Sequence, residues 1–148
     1  MMLRFKMVWP QLNLSVRCQS CGKNENALKI LMENMPIQTI QGHEMVGGWM
    51  LRNRALYMGK RFFDIPAQEL ESESMKDAPV GRISLLFPQG NSTEMLVKYD
   101  ACEDFRSYTP VADVVEEDLE ILKQVGQLQW KSATRTKEIL AVEFVAED

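Results

Sequence analysis

The stretch that decides the fold is GRISLLFPQGNSTEMLVKY, running from Gly81 to Tyr99. It divides into two apolar runs, Arg82–Phe87 and Glu94–Tyr99, joined by Pro88-Gln89-Gly90-Asn91-Ser92. Apolar runs bounded by Pro, Gly and Asn read as two strands and a turn. Side chains alternate along a strand, so Met95, Val97 and Tyr99 share one face while Glu94, Leu96 and Lys98 share the other.

Upstream, the same period of two recurs. Leu3, Phe5 and Met7 alternate with Arg4, Lys6 and Val8; after Trp9-Pro10-Gln11, Leu12, Leu14, Val16 and Cys18 alternate with Asn13, Ser15 and Arg17. This predicts a β-hairpin. From Asn24 the period lengthens: Leu28, Leu31, Met32 and Met35 fall at i, i+3, i+4 and i+7, one apolar stripe of a helix. The spacing predicts a helix over 24–34, with Asn24 as N-cap and Pro36 as the stop. Short strands are expected at Ile37–Gln41, Trp49–Leu51, Ala55–Met58 and Phe62–Ile65. Pro66–Pro79 is polar, acidic and bracketed by prolines, which predicts a mobile surface loop.

Downstream, a second helix is expected over Glu116–Val125. Its acidic first turn suits the positive end of the helix dipole, and Gly126 is placed to terminate it. A last strand is expected over Glu138–Val145. About eight strands and two helices, without β–α alternation, give a mainly β (α+β) chain, read as a single domain over 1–148.

Composition narrows the partners. The 148 residues carry 17 basic and 21 acidic side chains, a net charge of −4, which argues against the concentrated basic surface that nucleic acid needs. No run approaches a membrane span, and no apolar leader core opens the chain, so neither a membrane nor a signal peptide is expected. Three cysteines, an odd number, fit a reducing cytoplasm. Cys18-Gln-Ser-Cys21 lacks two well-spaced further ligands, and Cys18 is in phase with the apolar residues of its strand. It reads as core filling, with no metal and no cofactor implied.

Four features bear on chemistry. His43, the sole histidine, lies beside Glu44 and near Gly47-Gly48; imidazole titrates near neutrality, so it reads either as a general acid/base or as a loop histidine without a role. Glu94 opens a strand after the Gly-Asn-Ser turn, where it can act as a base at a barrel mouth or simply pair with Lys98. Arg52, Arg54, Lys60 and Arg61 surround Tyr57 and suit an anionic ligand, or a solvated sheet face. No phosphate loop and no GxSxG turn occur.

The order of elements, with the helix ending in Met35-Pro36, the segment with His43 and Trp49, Gly81–Tyr99 and Leu119–Trp130, resembles the minimal bacterial cyclophilin-like domains. The same domain type occurs in cucumopine and mikimopine synthases. The resemblance, covering about Leu3 to Val145, implies a closed eight-stranded β-barrel with two capping helices. It also implies condensation of an amino acid with a 2-oxo acid by imine formation and Pictet–Spengler ring closure. Carried over by position, His43 and Glu94 would be catalytic, facing one pocket. Trp49 is added as a wall, Arg54 as an anion clamp and Tyr99 as a hydroxyl, with Tyr57 among the substrate-binding residues. The implied partner is a small anionic molecule, an amino acid or 2-oxo acid, and a homo-oligomer is compatible with it. The alternatives are a non-catalytic binding or scaffold domain and a prolyl-isomerase-like peptide binder. The isomerase signatures Phe-His-Arg and Gln-Phe-Phe are absent, and Arg61-Phe62-Phe63 is their nearest copy.

Overall fold

A computed structural model describes residues 2–56, 59–89 and 92–147, with backbone alone at 54, 55, 87–89 and 92. The strands are β1 (Arg4–Trp9), β2 (Leu14–Ser20), β3 (Ile37–His43), β4 (Gly48–Leu56), β5 (Glu73–Ser74), β6 (Arg82–Gln89), β7 (Ser92–Cys102), β8 (Ser107–Val114) and β9 (Leu140–Ala146). The helices are α1 (Glu25–Glu33), α2 (Gly59–Phe63) and α3 (Leu119–Lys131). Neighbouring strands run in the order β2-β1-β9-β3-β4-β7-β6-β8, and β8 pairs with β2 to close an antiparallel barrel of eight strands. The short β5 pairs with β8 as an addition to that ring.

The interior takes every second residue. Phe5, Met7, Val16, Cys18, Leu51, Ile83, Leu85, Met95, Val97, Val142 and Phe144 are buried together with Leu28 and Leu31 of α1 and Leu122 and Val125 of α3. Cys18 is thus core filling, and burial pushes its thiol well above the usual range. The outer face of β4, β7 and β8 is also covered: Met50, Met75, Ala78, Leu96, Cys102 and Tyr108 form a second apolar cluster.

That second cluster corrects the expected mobile loop over 66–79. Met75 is fully buried, and the Lys98 ammonium donates to the carbonyls of Met75 (2.7 Å), Ala78 (2.7 Å) and Lys76 (3.3 Å). All three of its N–H bonds find acceptors, so Lys98 is a buried clamp for this segment and not a surface partner of Glu94. Arg82 ties the same segment down through Glu73 and through Asp113 at 2.7 Å.

Other boundaries shift for local reasons. Asn24 occupies the N-cap position of α1, as expected, but its side chain makes no cap bond to the helix. It sits in the left-handed region at φ 54°, and its side chain bridges the Glu71 and Pro110 backbones. In place of the expected strand at Phe62–Ile65, Phe62 and Phe63 end α2 and a turn follows at Asp64 and Ile65, with Phe62 fully buried. Trp49–Leu51 and the start of Ala55–Met58 belong to one strand, β4, while Tyr57 and Met58 lie outside the described residues. Strand β8 escapes sequence reading because Pro110 interrupts its pattern. The structure accommodates the proline at a register shift, where Ser84 faces Pro110 and Ile83 faces Ala112.

Helix α3 does not stop at Gly126. It runs on to Lys131, and the glycine serves packing. A Cβ at 126 would lie 2.5 Å from Cε1 and Cζ of the Tyr99 ring. The described helices number three, against the two expected.

Candidate functional site: two cavities on opposite faces of one sheet

The cross-strand register decides which candidate residues meet. His43 faces Leu51, and Leu51 faces Val97; directly opposed residues in an antiparallel ladder project to the same side. Arg52 faces Leu96, and Glu94 faces Leu86. Side chains of consecutive residues point to opposite faces, so His43 projects to the interior side and Glu94 to the outside. The expected single pocket holding both is corrected: the sheet itself stands between them.

On the outer face, Glu94 lines a cavity of about 180 Å³ with Glu44, Arg52, Leu86, Leu96, Arg106, Ser107 and Tyr108. Arg52 Nε donates to Glu94 Oε2 at 2.8 Å, and Nη2 converges on the same oxygen. Its Nη1 donates to Glu44 Oε2 at 3.2 Å. Glu44 Oε1 accepts the N–H groups of Met45 (3.0 Å) and Val46 (3.3 Å). Glu44 is therefore fully employed, whereas Glu94 is held by one oxygen only among the described residues. Across the cavity, Arg106 Nε and Nη2 bind Asp104 at 3.1 and 3.0 Å, and the Tyr108 hydroxyl donates to the same carboxylate at 2.5 Å. Burial works to raise Asp104, but the hydrogen bonds from Arg106 and Tyr108 bring it below the ordinary carboxylate range. Burial and the Asp104 bond push the Tyr108 phenol upward.

On the interior side, at the rim made by the end of β3, the start of β4 and the end of β7, four rings gather. His43 is edge-on to Trp130 at 4.8 Å between centroids, to Tyr99 at 5.4 Å and to Trp49 at 5.8 Å. His43 Nδ1 lies 2.6 Å from the Glu44 carbonyl oxygen, and Nε2 lies 2.5 Å from the Tyr99 hydroxyl. A carbonyl only accepts, so Nδ1 carries the proton, and the neutral ring accepts the Tyr99 O–H at Nε2. Burial lowers the pKa of His43, outweighing the opposing influence of Glu44, and it raises that of Tyr99. The pair is therefore a neutral imidazole and a protonated phenol. Beside it lies a cleft of about 350 Å³ lined by Trp49, Tyr99, Asp100, Gln127 and Trp130.

Trp49 and Tyr99 thus join His43, not Glu94. Arg54 has only its backbone described, in β4, and Tyr57 lies outside the described residues. The isomerase-like string Arg61-Phe62-Phe63 is part of α2, with Phe62 in the core and Arg61 paired with Glu33 at the surface. Sequence reading missed Arg106 and Tyr108, which flank or belong to the unrecognised β8, and Trp130, which lies beyond the expected end of the second helix. The outward parity shared by Glu94 and Leu96 was the available signal for the first cavity.

The structure superposes on that of McbB in complex with tryptophan with a TM-score of 0.80 and 24% identity, over 95% of this chain and 44% of that one. The barrel is cyclophilin-like. At this identity the likeness is one of fold, and the chain spans less than half of the McbB chain. No family model and no curated protein matches the sequence. Among the described residues, no helix is long and apolar enough to cross a membrane, and no three His, Cys, Asp or Glu residues cluster to hold a metal ion.

Proposed function

We propose that this cyclophilin-like domain binds small carboxylated molecules in the outer cavity and condenses an amino acid with a 2-oxo acid there. The observation that carries the reading is the state of Glu94: both Arg52 nitrogens converge on Oε2, which leaves Oε1 for a proton. Arg106 adds a guanidinium whose Nη1 is not taken by Asp104 among the described residues, the donor a substrate carboxylate needs. The amine attacks the keto carbon, and the carbinolamine loses water to give an imine, the hydrogens of that water coming from the amine itself. The imine nitrogen takes a proton from solvent, a nucleophilic ring carbon of the amino acid bonds to the iminium carbon as the C=N pair moves onto that nitrogen, and Glu94 takes the proton displaced from the ring carbon and returns it to solvent. Arg52 positions the base and Arg106 the substrate, so entropy is spent on binding and not at the reaction step. No cofactor enters this balance.

The test is incubation with pairs of aromatic or imidazole amino acids and 2-oxo acids, followed by mass analysis. A product at the summed mass less one water, lost in Glu94→Gln by about 10²–10⁴-fold, is expected. Thermal shift against each substrate alone reads binding separately. Shifts without product would leave a binding domain, and neither shift nor product would overturn the reading.

A further inference from the structure

The aromatic cleft on the interior side is a site of its own, separated from the charged cavity by the sheet. Its two indoles are not parallel. Trp49 and Trp130 meet at 77° with centroids 5.3 Å apart, and Trp49 and Tyr99 meet at 55° and 6.4 Å. Parallel walls make a slot that takes a flat ring; walls near a right angle make a corner, which suits a compact, rounded group. Trp49 is left 41% exposed, so its indole is open to solvent at the cleft.

The electrostatics select the charge. Ring faces carry the negative part of the aromatic quadrupole and attract cations. Asp100 adds a carboxylate at the edge of the cleft. His43, held neutral behind the rings by the Glu44 carbonyl and the Tyr99 hydroxyl, adds no opposing charge. Lys123 Nζ lies 3.8 Å from Asp100 Oδ2, both side chains being about half exposed; such a pair is weak and readily displaced. A volume of about 350 Å³ is ample for a tetramethylammonium-sized head group.

We propose that the corner formed by Trp49, Tyr99 and Trp130, with Asp100 at its edge, binds a compact alkylated ammonium group. Choline is the probe, set against its uncharged carbon isostere, in which tert-butyl replaces trimethylammonium, and against indole as a flat neutral ring. Proton–nitrogen spectra of the intact chain give the readout, because the three indole N–H groups report separately. Trp9, fully buried with its Nε1 donating to Gln41, is the internal control.

Choline up to about 50 mM is expected to shift the Trp49 and Trp130 signals and leave that of Trp9 in place. The uncharged isostere is expected to bind roughly ten times more weakly, the difference being the cation's attraction to the rings and to Asp100. Asp100→Asn weakens choline about fivefold, and Lys123→Gln, which removes the competing cation, strengthens it about twofold. The proposal is overturned if choline moves neither signal, if the isostere or indole binds as tightly as choline, or if Asp100→Asn leaves choline affinity unchanged.

Discussion

Two cavities lie back to back on the strands β4 and β7, and they are built on opposite chemical plans. The outer one is made of ions: Arg52 between Glu44 and Glu94, and Arg106 on Asp104. The inner one is made of rings, with a single neutral hydrogen-bonded pair, His43 and Tyr99, behind them. Adjacent residues on one strand face opposite sides: Leu51 and Val97 enter the core, while Arg52 and Leu96 line the ionic cavity. The alternation of the strand is enough to keep the two environments apart, since one residue step carries a side chain through the sheet.

The sharpest way to break this comparison is Glu94→Gln. Turnover is expected to fall by about 10²–10⁴-fold, while the choline-induced shifts of Trp49 and Trp130 stay as in the parent; movement of both together would mean that the faces are not independent. Next in size is Lys98→Met, which strands three carbonyls under the 66–79 segment. A loss of about 1–3 kcal/mol in urea unfolding is expected, together with faster amide exchange around Met75. A loss no greater than that of an exposed lysine would show that the clamp is not formed. Gly126→Ala strikes the inner face alone. The new methyl meets the Tyr99 ring at 2.5 Å, and overpacking of about 1–3 kcal/mol outweighs a helix-propensity gain of about 1 kcal/mol. A rise in melting temperature would contradict the contact. Combined with Arg52→Met, its effect should add within about 0.5 kcal/mol, as for residues that share no partner.

The smallest effect is a pH dependence, and the single histidine makes it clean. Burial lowers the pKa of His43 in the folded chain below its ordinary 6.5. Between the folded and unfolded values the unfolded chain binds the extra proton, so stability present above about pH 6.5 declines as pH falls through that window. His43→Gln should flatten this decline. Urea midpoints near pH 7 and near pH 5.5 are the measurement; equal slopes in the two proteins would mean that His43 is not desolvated.

Much of the barrel was legible because its strands alternate cleanly: β1, β2, β6, β7 and β9 announce themselves by period two. Strand β8 did not, since Pro110 hides a strand that tolerates it only through a register shift. The extent of α3 was hidden in another way. Gly126 reads as a stop in one dimension, and only the Tyr99 ring lying on it in three dimensions gives the glycine its reason. The candidate residues could be chosen by chemistry from the sequence, but not grouped. Grouping needs the register between strands distant in sequence, and that register put Trp49 and Tyr99 with His43, and Arg52 with Glu94.

One residue touches both faces. Glu44 accepts from His43 through its main-chain carbonyl and from Arg52 through its carboxylate. The first role belongs to the backbone and survives any replacement that keeps the local path; the second belongs to the side chain and is lost with it. The Nδ1–H tautomer of His43 is therefore held by the main chain, whereas replacing the Glu44 side chain removes the Arg52 contact together with the bonds from the Met45 and Val46 N–H groups. A change of side chain at position 44 then alters the charge of the outer cavity while the proton of His43 stays on Nδ1.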